Sequence, residues 1–335
     1  MERMRFTEDV LTKGHLCILA TGGTIAARPT KSGLKPTLTG ADVLEMIPEI
    51  EELADIDCID ILQLNSTNLQ PKHWQVIARA VARYYDDYDG FVILHGTNTL
   101  AYTAAALYYM LNRVGKPVVV TGSQTPAGEF GTDAPQNVLA ACTVALSGRA
   151  GVYVVFGGCI IAGNAARKLC SRNYQAFSSI QRPAEGVTQG GSIRWQVPPK
   201  IPTGKFQLCD ELDDKVAVLK LFPGIEPRIL HYLIDRGYHA VILEGYGLGG
   251  VPGADTSLDF LPEIAYARKK GCLIVCTTQC VYDGADLSCY EVGVEAERLG
   301  AISGGALPTE ALLPKLMLLL AQTRSQEEIA KFLPE

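Results

Sequence analysis

The chain is poor in several things, and each shortage closes off a class of function. Its 335 residues include five histidines and two tryptophans. Neither His73 nor His239 sits in a spacing that would gather ligands on a metal. Basic residues are outnumbered, 30 Lys and Arg against 36 Asp and Glu, for a net charge of −6. Such a surface does not neutralise phosphates, so nucleic acid is not an expected partner. No apolar run approaches the ~20 residues of a membrane span, so no membrane is expected either. The opening MERMRFTEDVLTKG carries both charge signs and no apolar core, unlike a secretory leader. The ten cysteines contain no CxxC pair. Most lie in apolar runs such as LCILA and CLIVC, where free cysteine packs as a small hydrophobe. Cys272, Cys276 and Cys280 recur every fourth residue, but without histidines nearby they do not read as a zinc set. Free thiols fit a reducing cytoplasm. No Gly-Lys-Ser/Thr follows a glycine loop, and no GxSxG elbow appears. GYGLGG (245–250) matches GxGxxG, yet Pro252 and Gly253 stand where a dinucleotide-binding helix must open.

What is present is greasy and rhythmic. Hydrophobic residues make up 47% of the chain and charged residues 20%, enough to bury a large core. Short β-branched runs alternate with helical patterns: HLCILATGG (15–23), a helix near 40–53, DCIDILQL (57–64), a helix over 70–85 and FVILHG (91–96). The helix 101–111, PVVVTGS (117–123), a helix near 136–146 and VYVVFGG (152–158) continue the series. Continuous apolar strands separated by helices predict a doubly wound, Rossmann- or flavodoxin-like parallel sheet covered on both faces. The segment 185–206, rich in Gly, Pro and polar residues, reads as the linker region. A smaller α/β unit follows, with VAVLKLF (216–222), HAVILEG (239–245) and CLIVCTT (272–278), helices near 227–236 and after Phe260, and an apolar helix at 309–322. The expected division is therefore an N-terminal domain over 1–190, a linker over 191–214 and a C-terminal domain over 215–335.

Ligands of open parallel sheets bind beyond the carboxyl ends of the strands. Here those ends read Thr-Gly-Gly-Thr, Asn-Ser-Thr, His-Gly-Thr-Asn-Thr and Thr-Gly-Ser. One such end is an ordinary helix cap; several together point to a shared polar pocket.

TGGTIA (21–26) together with HGT-x-T resembles the bacterial-type L-asparaginase family, in its cytoplasmic type I branch. The resemblance runs through YDDYDGFVILHGT (85–97), GKPVVVTGSQ (115–124), TDAPQN (132–137) and AGN-x-x-RK (162–168). It implies an L-asparagine amidohydrolase yielding L-aspartate and ammonia. It implies Thr24 as nucleophile, Thr97 as second catalytic threonine, and Lys168 as the lysine working with it. Ser66 matches the serine that holds the substrate α-carboxylate, with Thr67 beside it. Gly23 and Gly96 would let backbone N–H groups approach the substrate. No metal or organic cofactor is implied. A homodimer or homotetramer is, with YGLGGVPGAD (246–255) as the stretch reaching a partner's site. Those residue types suit the chemistry, since amide hydrolysis needs a nucleophile, a proton acceptor and oxyanion donors. A lysine serves as base where burial depresses its pKa. Lys168 is therefore expected inside the pocket, with Arg167 its outward-facing neighbour.

Two departures stand out. Asn98 occupies the place of an aspartate that binds the substrate α-ammonium and helps hold the lysine, so it is read as both catalytic and substrate-binding. Losing a charge-assisted contact there costs ~2–4 kcal/mol, roughly 30- to 1000-fold. The open readings are a crippled, substrate-trapping enzyme, a homologue of weak or altered activity, or a substitute carboxylate. Secondly, the loop 27–40 has no tyrosine to close over Thr24; Leu34 stands about where it is expected. Two other classes share the motifs. One is a non-catalytic amino-acid sensor. The other is the asparaginase-like subunit of a tRNA-dependent amidotransferase, which carries an extra N-terminal domain, whereas 20 residues precede TGGTIA here.

Overall fold

The computed structural model describes residues 13–254 and 256–333. Most of the opening segment read above (1–12) and Asp255 of the 246–255 stretch lie outside the described residues.

Five strands form the parallel heart of an eight-stranded sheet: His15–Gly22, Asp55–Leu64, Gly90–Leu94, Pro117–Thr121 and Gly151–Phe156. Gly90–Leu94 and Pro117–Thr121 are buried at every position, which is why they read as unbroken apolar runs. Side chains alternate between the two faces. Cys17, Leu19, Phe91 and Ile93 pack with the helices Pro71–Arg83 and Leu100–Met110. Leu16, Ile18, Val92 and Leu94 pack with Gly40–Glu45 and Ala134–Ala145 on the other side. Asp55–Leu64 lies at the sheet's edge and exposes Asp55, Asp57 and Asp60, charges that discourage edge-to-edge pairing.

The sheet departs from the all-parallel expectation at its other edge. Cys159–Ala162, Gly186–Gln189 and Ser192–Trp195 add three antiparallel strands. The last two form a hairpin whose turn, Gly190-Gly191, has φ of 57° and 78°, the left-handed backbone that a two-residue hairpin loop requires. The segment 185–206 is therefore not uniformly linker, and the boundary placed at 190 falls inside a hairpin turn. The large sheet runs to Trp195.

The C-terminal sheet is wholly parallel, in the order Val216–Lys220, Ala240–Gly245, Leu273–Thr278, Ala301–Ser303. Helix Glu291–Arg298 and the strand after it have no counterpart among the elements the sequence predicts. One sheet face packs on Phe260, Ile264 and Ala267. The other contributes Ala240, Ile242 and Val275 to the core shared with Leu312, Leu316 and the large domain. Helix Thr309–Gln322 thus joins the two domains through one continuous core.

Candidate active site

The strands that carry the two threonine motifs are neighbours, with Ala20 registered on Leu94. Past their carboxyl ends both chains turn, and the turns touch backbone to backbone. Thr21, buried, donates its hydroxyl to the Leu94 carbonyl at 2.8 Å. Gly22 and Gly23 have φ of 93° and 82°. A Cβ on Gly23 would lie 2.3 Å from the Gly96 Cα, so this close approach admits only glycine. A single 3-10 turn, Thr24–Ala26, follows, with Thr24 half-buried. Gly96 is equally constrained from the other side, because its Cβ would meet Ser66 Oγ at 2.6 Å.

His95, fully buried, supports the second turn from below. Its Nδ1 lies 2.7 Å from the Gly96 carbonyl, which can only accept, so Nδ1 carries the proton. Nε2 then accepts from the Thr103 hydroxyl at 2.9 Å. Burial pushes the His95 pKa down to about 4, keeping the ring neutral.

Thr97 is buried and sits between two partners. Lys168 Nζ donates to its Oγ1 at 2.7 Å, and Thr97 donates to Gln124 Oε1 at 3.2 Å. Lys168 ends the short strand Ala166–Lys168 and also donates to Asn98 Oδ1 at 3.2 Å. Burial lowers the lysine's pKa from its usual value, since desolvation penalises the charged form. Asn98 uses its other head-group atom to donate to Thr67 Oγ1 at 3.0 Å. Its backbone N–H reaches Ser66 Oγ at 3.2 Å, and Thr99 donates to the Ser66 carbonyl at 2.7 Å. The geometry thus joins Ser66, Thr67, Thr97, Asn98 and Lys168 in one network and lays Gly23, with Thr24 next to it, against Gly96.

Gln124 ends the GKPVVVTGSQ stretch without an assigned role there, and joins the site only in three dimensions. Its amide nitrogen faces the carbonyls of Cys170 and Asn173 at 3.3 and 3.1 Å, which fixes Oε1 toward Thr97. Buried Asp133 accepts from the backbone N–H groups of Gln124 and Thr125. Asn137 braces the same turn, donating to Asp133 and to the Gly122 carbonyl. A signal existed: Asn137 lies on the buried stripe with Ala141 and Val144, and a polar residue there needs a partner.

One expectation is corrected. Arg167 is not turned out to water: its guanidinium pairs with Glu310 at 3.5 Å, and both side chains are largely buried. GYGLGG forms a tight turn closed by a Tyr246–Gly250 bridge, and the next helix begins only at Leu261. Cys272 and Cys276 belong to the second domain's core, with thiols pushed up to about 12 by burial, far from the thiolate a metal needs. Among the described residues no helix is long and apolar enough to cross a membrane.

Two α/β domains and a hydroxyl pocket around one desolvated lysine define the class, a two-domain amidohydrolase. Likeness to known proteins narrows it. Residues 15–200 match the family described as Asparaginase, N-terminal, and residues 215–333 match the Glutaminase/Asparaginase C-terminal domain. An L-asparaginase of Thermococcus kodakarensis is 41% identical, covering 95% of this chain and 96% of its own. L-asparaginase 1 of Escherichia coli K12 is 34% identical over 96% of each chain. A glutamyl-tRNA(Gln) amidotransferase component of Pyrococcus abyssi is also 34% identical, across 95% of this chain and 75% of that one. Among solved structures, the thermostable L-asparaginase from Thermococcus kodakarensis superposes with a TM-score of 0.90 at 40% identity, covering 96% of this chain and 97% of that one. The chain belongs to the asparaginase family.

Proposed function

We propose that this protein hydrolyses L-asparagine to L-aspartate and ammonia, with Thr24 as nucleophile and Thr97 and Lys168 as its proton-handling partners. The observation that carries the reading is the 2.7 Å contact between Lys168 Nζ and Thr97 Oγ1, on a turn in backbone contact with that of Thr24. A protonated lysine can only donate, so in that state the Thr97 proton goes to Gln124. Once Lys168 is neutral the direction reverses, and the amine accepts the Thr97 proton. Burial favours that neutral form. The Thr24 hydroxyl attacks the side-chain amide carbon, and its proton is passed on to the leaving nitrogen. The C–N bond then breaks, ammonia leaves, and an ester to Thr24 remains. Water adds to that ester, releasing aspartate and restoring the hydroxyl. Ser66 and Thr67 hold the α-carboxylate with hydroxyl donors.

Asn98 retains half of a carboxylate's work. Its Oδ1 accepts from Lys168, so the lysine stays positioned. Its Nδ2 is a donor, bound to Thr67, where a substrate ammonium needs an acceptor. We therefore infer attenuated binding of the α-amino group with the proton machinery intact. Asn98 also favours a second reading, an amino-acid-binding homologue without turnover. Ammonia release from asparagine, measured beside calorimetric binding of aspartate, separates them: binding without ammonia establishes the second. We further infer a cytoplasmic homodimer or homotetramer, on the likeness to type I asparaginases and the free thiols of all ten cysteines. Sedimentation that returns a monomer overturns the assembly.

A further inference from the structure

We propose that a cavity at the other end of the large sheet binds a small organic anion bearing two negative charges on a compact apolar body. The parallel strands aim their carboxyl ends at Thr24 and Thr97. This cavity lies at their amino ends, where Gly151–Phe156 begins and where the chain approaches Pro117. It measures about 360 Å³, within the range of small-ligand sites. Four cations line it, Arg113, Arg149, Arg182 and Lys200, against one carboxylate, Glu185.

Glu185 is shared. Arg149 Nη2 donates to one of its oxygens at 3.0 Å and Arg182 Nη2 to the other at 2.5 Å. Two guanidiniums on one carboxylate leave a positive charge over, where the Arg149 and Glu185 side chains are each only 7% exposed. Arg149 is held rigidly, stacked 4.0 Å from the Trp195 ring and donating to the Val197 and Pro198 carbonyls. All of those bonds use Nη2, and its Nε is buried with no hydrogen-bond partner. An excess of buried positive charge is costly, and an anion in the cavity relieves it. Leu111, Val152 and Tyr153 supply apolar wall for the ligand's body. Arg113 and Lys200, both exposed, close over its second charge. The single carboxylate of this lining is already taken by two guanidiniums and offers nothing to an α-ammonium, so the cavity is not a second site for the amidase substrate.

The test is calorimetric titration of the whole protein with phthalate and with phenyl phosphate at low ionic strength, with benzamide as neutral control. At least one anion is expected to bind tenfold or more tighter than benzamide. Preference between them tells a dicarboxylate ligand from a phosphate ester, and either supports the site. The Arg113→Glu, Lys200→Glu double variant, altered only at exposed positions, is expected to lose tenfold or more in anion affinity while its ammonia release from asparagine is unchanged. Arg149→Met is expected to lose binding as well. Failure of both anions to exceed benzamide, or binding that survives the charge reversal, overturns the proposal and leaves the cluster a structural ion network.

Discussion

The two threonine turns of the pocket are built in opposite ways. Thr97 is locked in place. It is 3% exposed, bonded to Lys168 and Gln124, propped by His95, and backed by the Asp133–Asn137 brace. Thr24 has no such side-chain clamp: its turn is held by the glycine contact with Gly96 and by buried Ile25 and Ala26, whose carbonyls accept from Ala127, Thr37 and Leu38. On its C-terminal side the chain runs into a hairpin, Ala27–Thr30 paired with Gly33–Pro36, that is exposed at nearly every position. One half of the site is preorganised by the scaffold, as electrostatic and proton-transfer groups must be. The other half carries Thr24, the proposed nucleophile, at the root of a solvent-facing flap. Such an arrangement lets substrate reach Thr24 before the site is sealed.

If the Thr97 side works as a unit, its members are not additive. Thr97→Val and Lys168→Met are each expected to lower kcat/KM for asparagine about a thousandfold, the size of a lost general base. The double variant is expected to be no worse than either single one. Additive losses in steady-state ammonia release break the unit and return Thr97 and Lys168 to separate roles.

His95 ties the rigid half to stability. Its folded-state pKa of about 4 lies below the ordinary 6.5, so unfolding takes up a proton between those values. The neutral ring's contribution is complete above pH 6.5 and is lost as pH falls toward 4, about 3 kcal/mol in all by linkage. Urea unfolding at steps across that window, comparing the parent protein with His95→Asn, is expected to show a shallower pH slope in the variant. Equal slopes mean that His95 is not the group titrating.

The strands around the pocket are legible in the sequence because buried parallel strands advertise themselves as apolar runs ending in Gly and Thr. The network within the pocket is legible only through family likeness. Lys168 lies 71 residues from Thr97, and no local periodicity can report such a meeting. Gln124 gives no local signal because its importance comes from what clamps its amide nitrogen, two backbone carbonyls of a distant loop. Arg167 defies its outward assignment because a strand residue beside the half-buried Lys168 points to the opposite face, and here that face meets Glu310 rather than water. The hairpin at 186–195 is written plainly in VTQGGSIRW. Gly-Gly between β-branched residues is a hairpin signal, masked by the prolines that follow it.

Position 98 sharpens the contrast, since it belongs to the rigid half yet is exposed and is proposed to meet the substrate. Asn98→Asp is expected to raise kcat/KM roughly 30-fold, the value of one restored charge-assisted contact. The gain should appear in KM, because Asn98 Oδ1 already holds Lys168 and the carboxylate adds its second oxygen to the ammonium site. A cost accompanies it. A carboxylate beside Lys168 favours the charged lysine, so the acid limb of the pH–rate profile is expected to move to higher pH. Michaelis curves at several pH values check both; a gain confined to kcat would show that Asn98 had left the lysine misplaced.

The smallest effect is expected from the flap itself. Leu34 is 54% exposed and pairs with Pro29 across the hairpin, so Leu34→Tyr fills open solvent and should change stability by less than about 0.5 kcal/mol. A phenol there can hydrogen-bond near Thr24 only when the hairpin folds over the occupied site. That contact belongs to the closed state, so it should raise kcat by about threefold and leave KM nearly untouched. Single-turnover ammonia release beside steady-state kinetics reads the two separately. A rise in kcat assigns closure to the hairpin and completes the comparison, with one half of the site built and the other half shut. No change in either constant would mean that the flap stays clear of the reacting atoms, and that the Gly23–Gly96 contact and the buried Ile25–Ala26 turn position Thr24 without it.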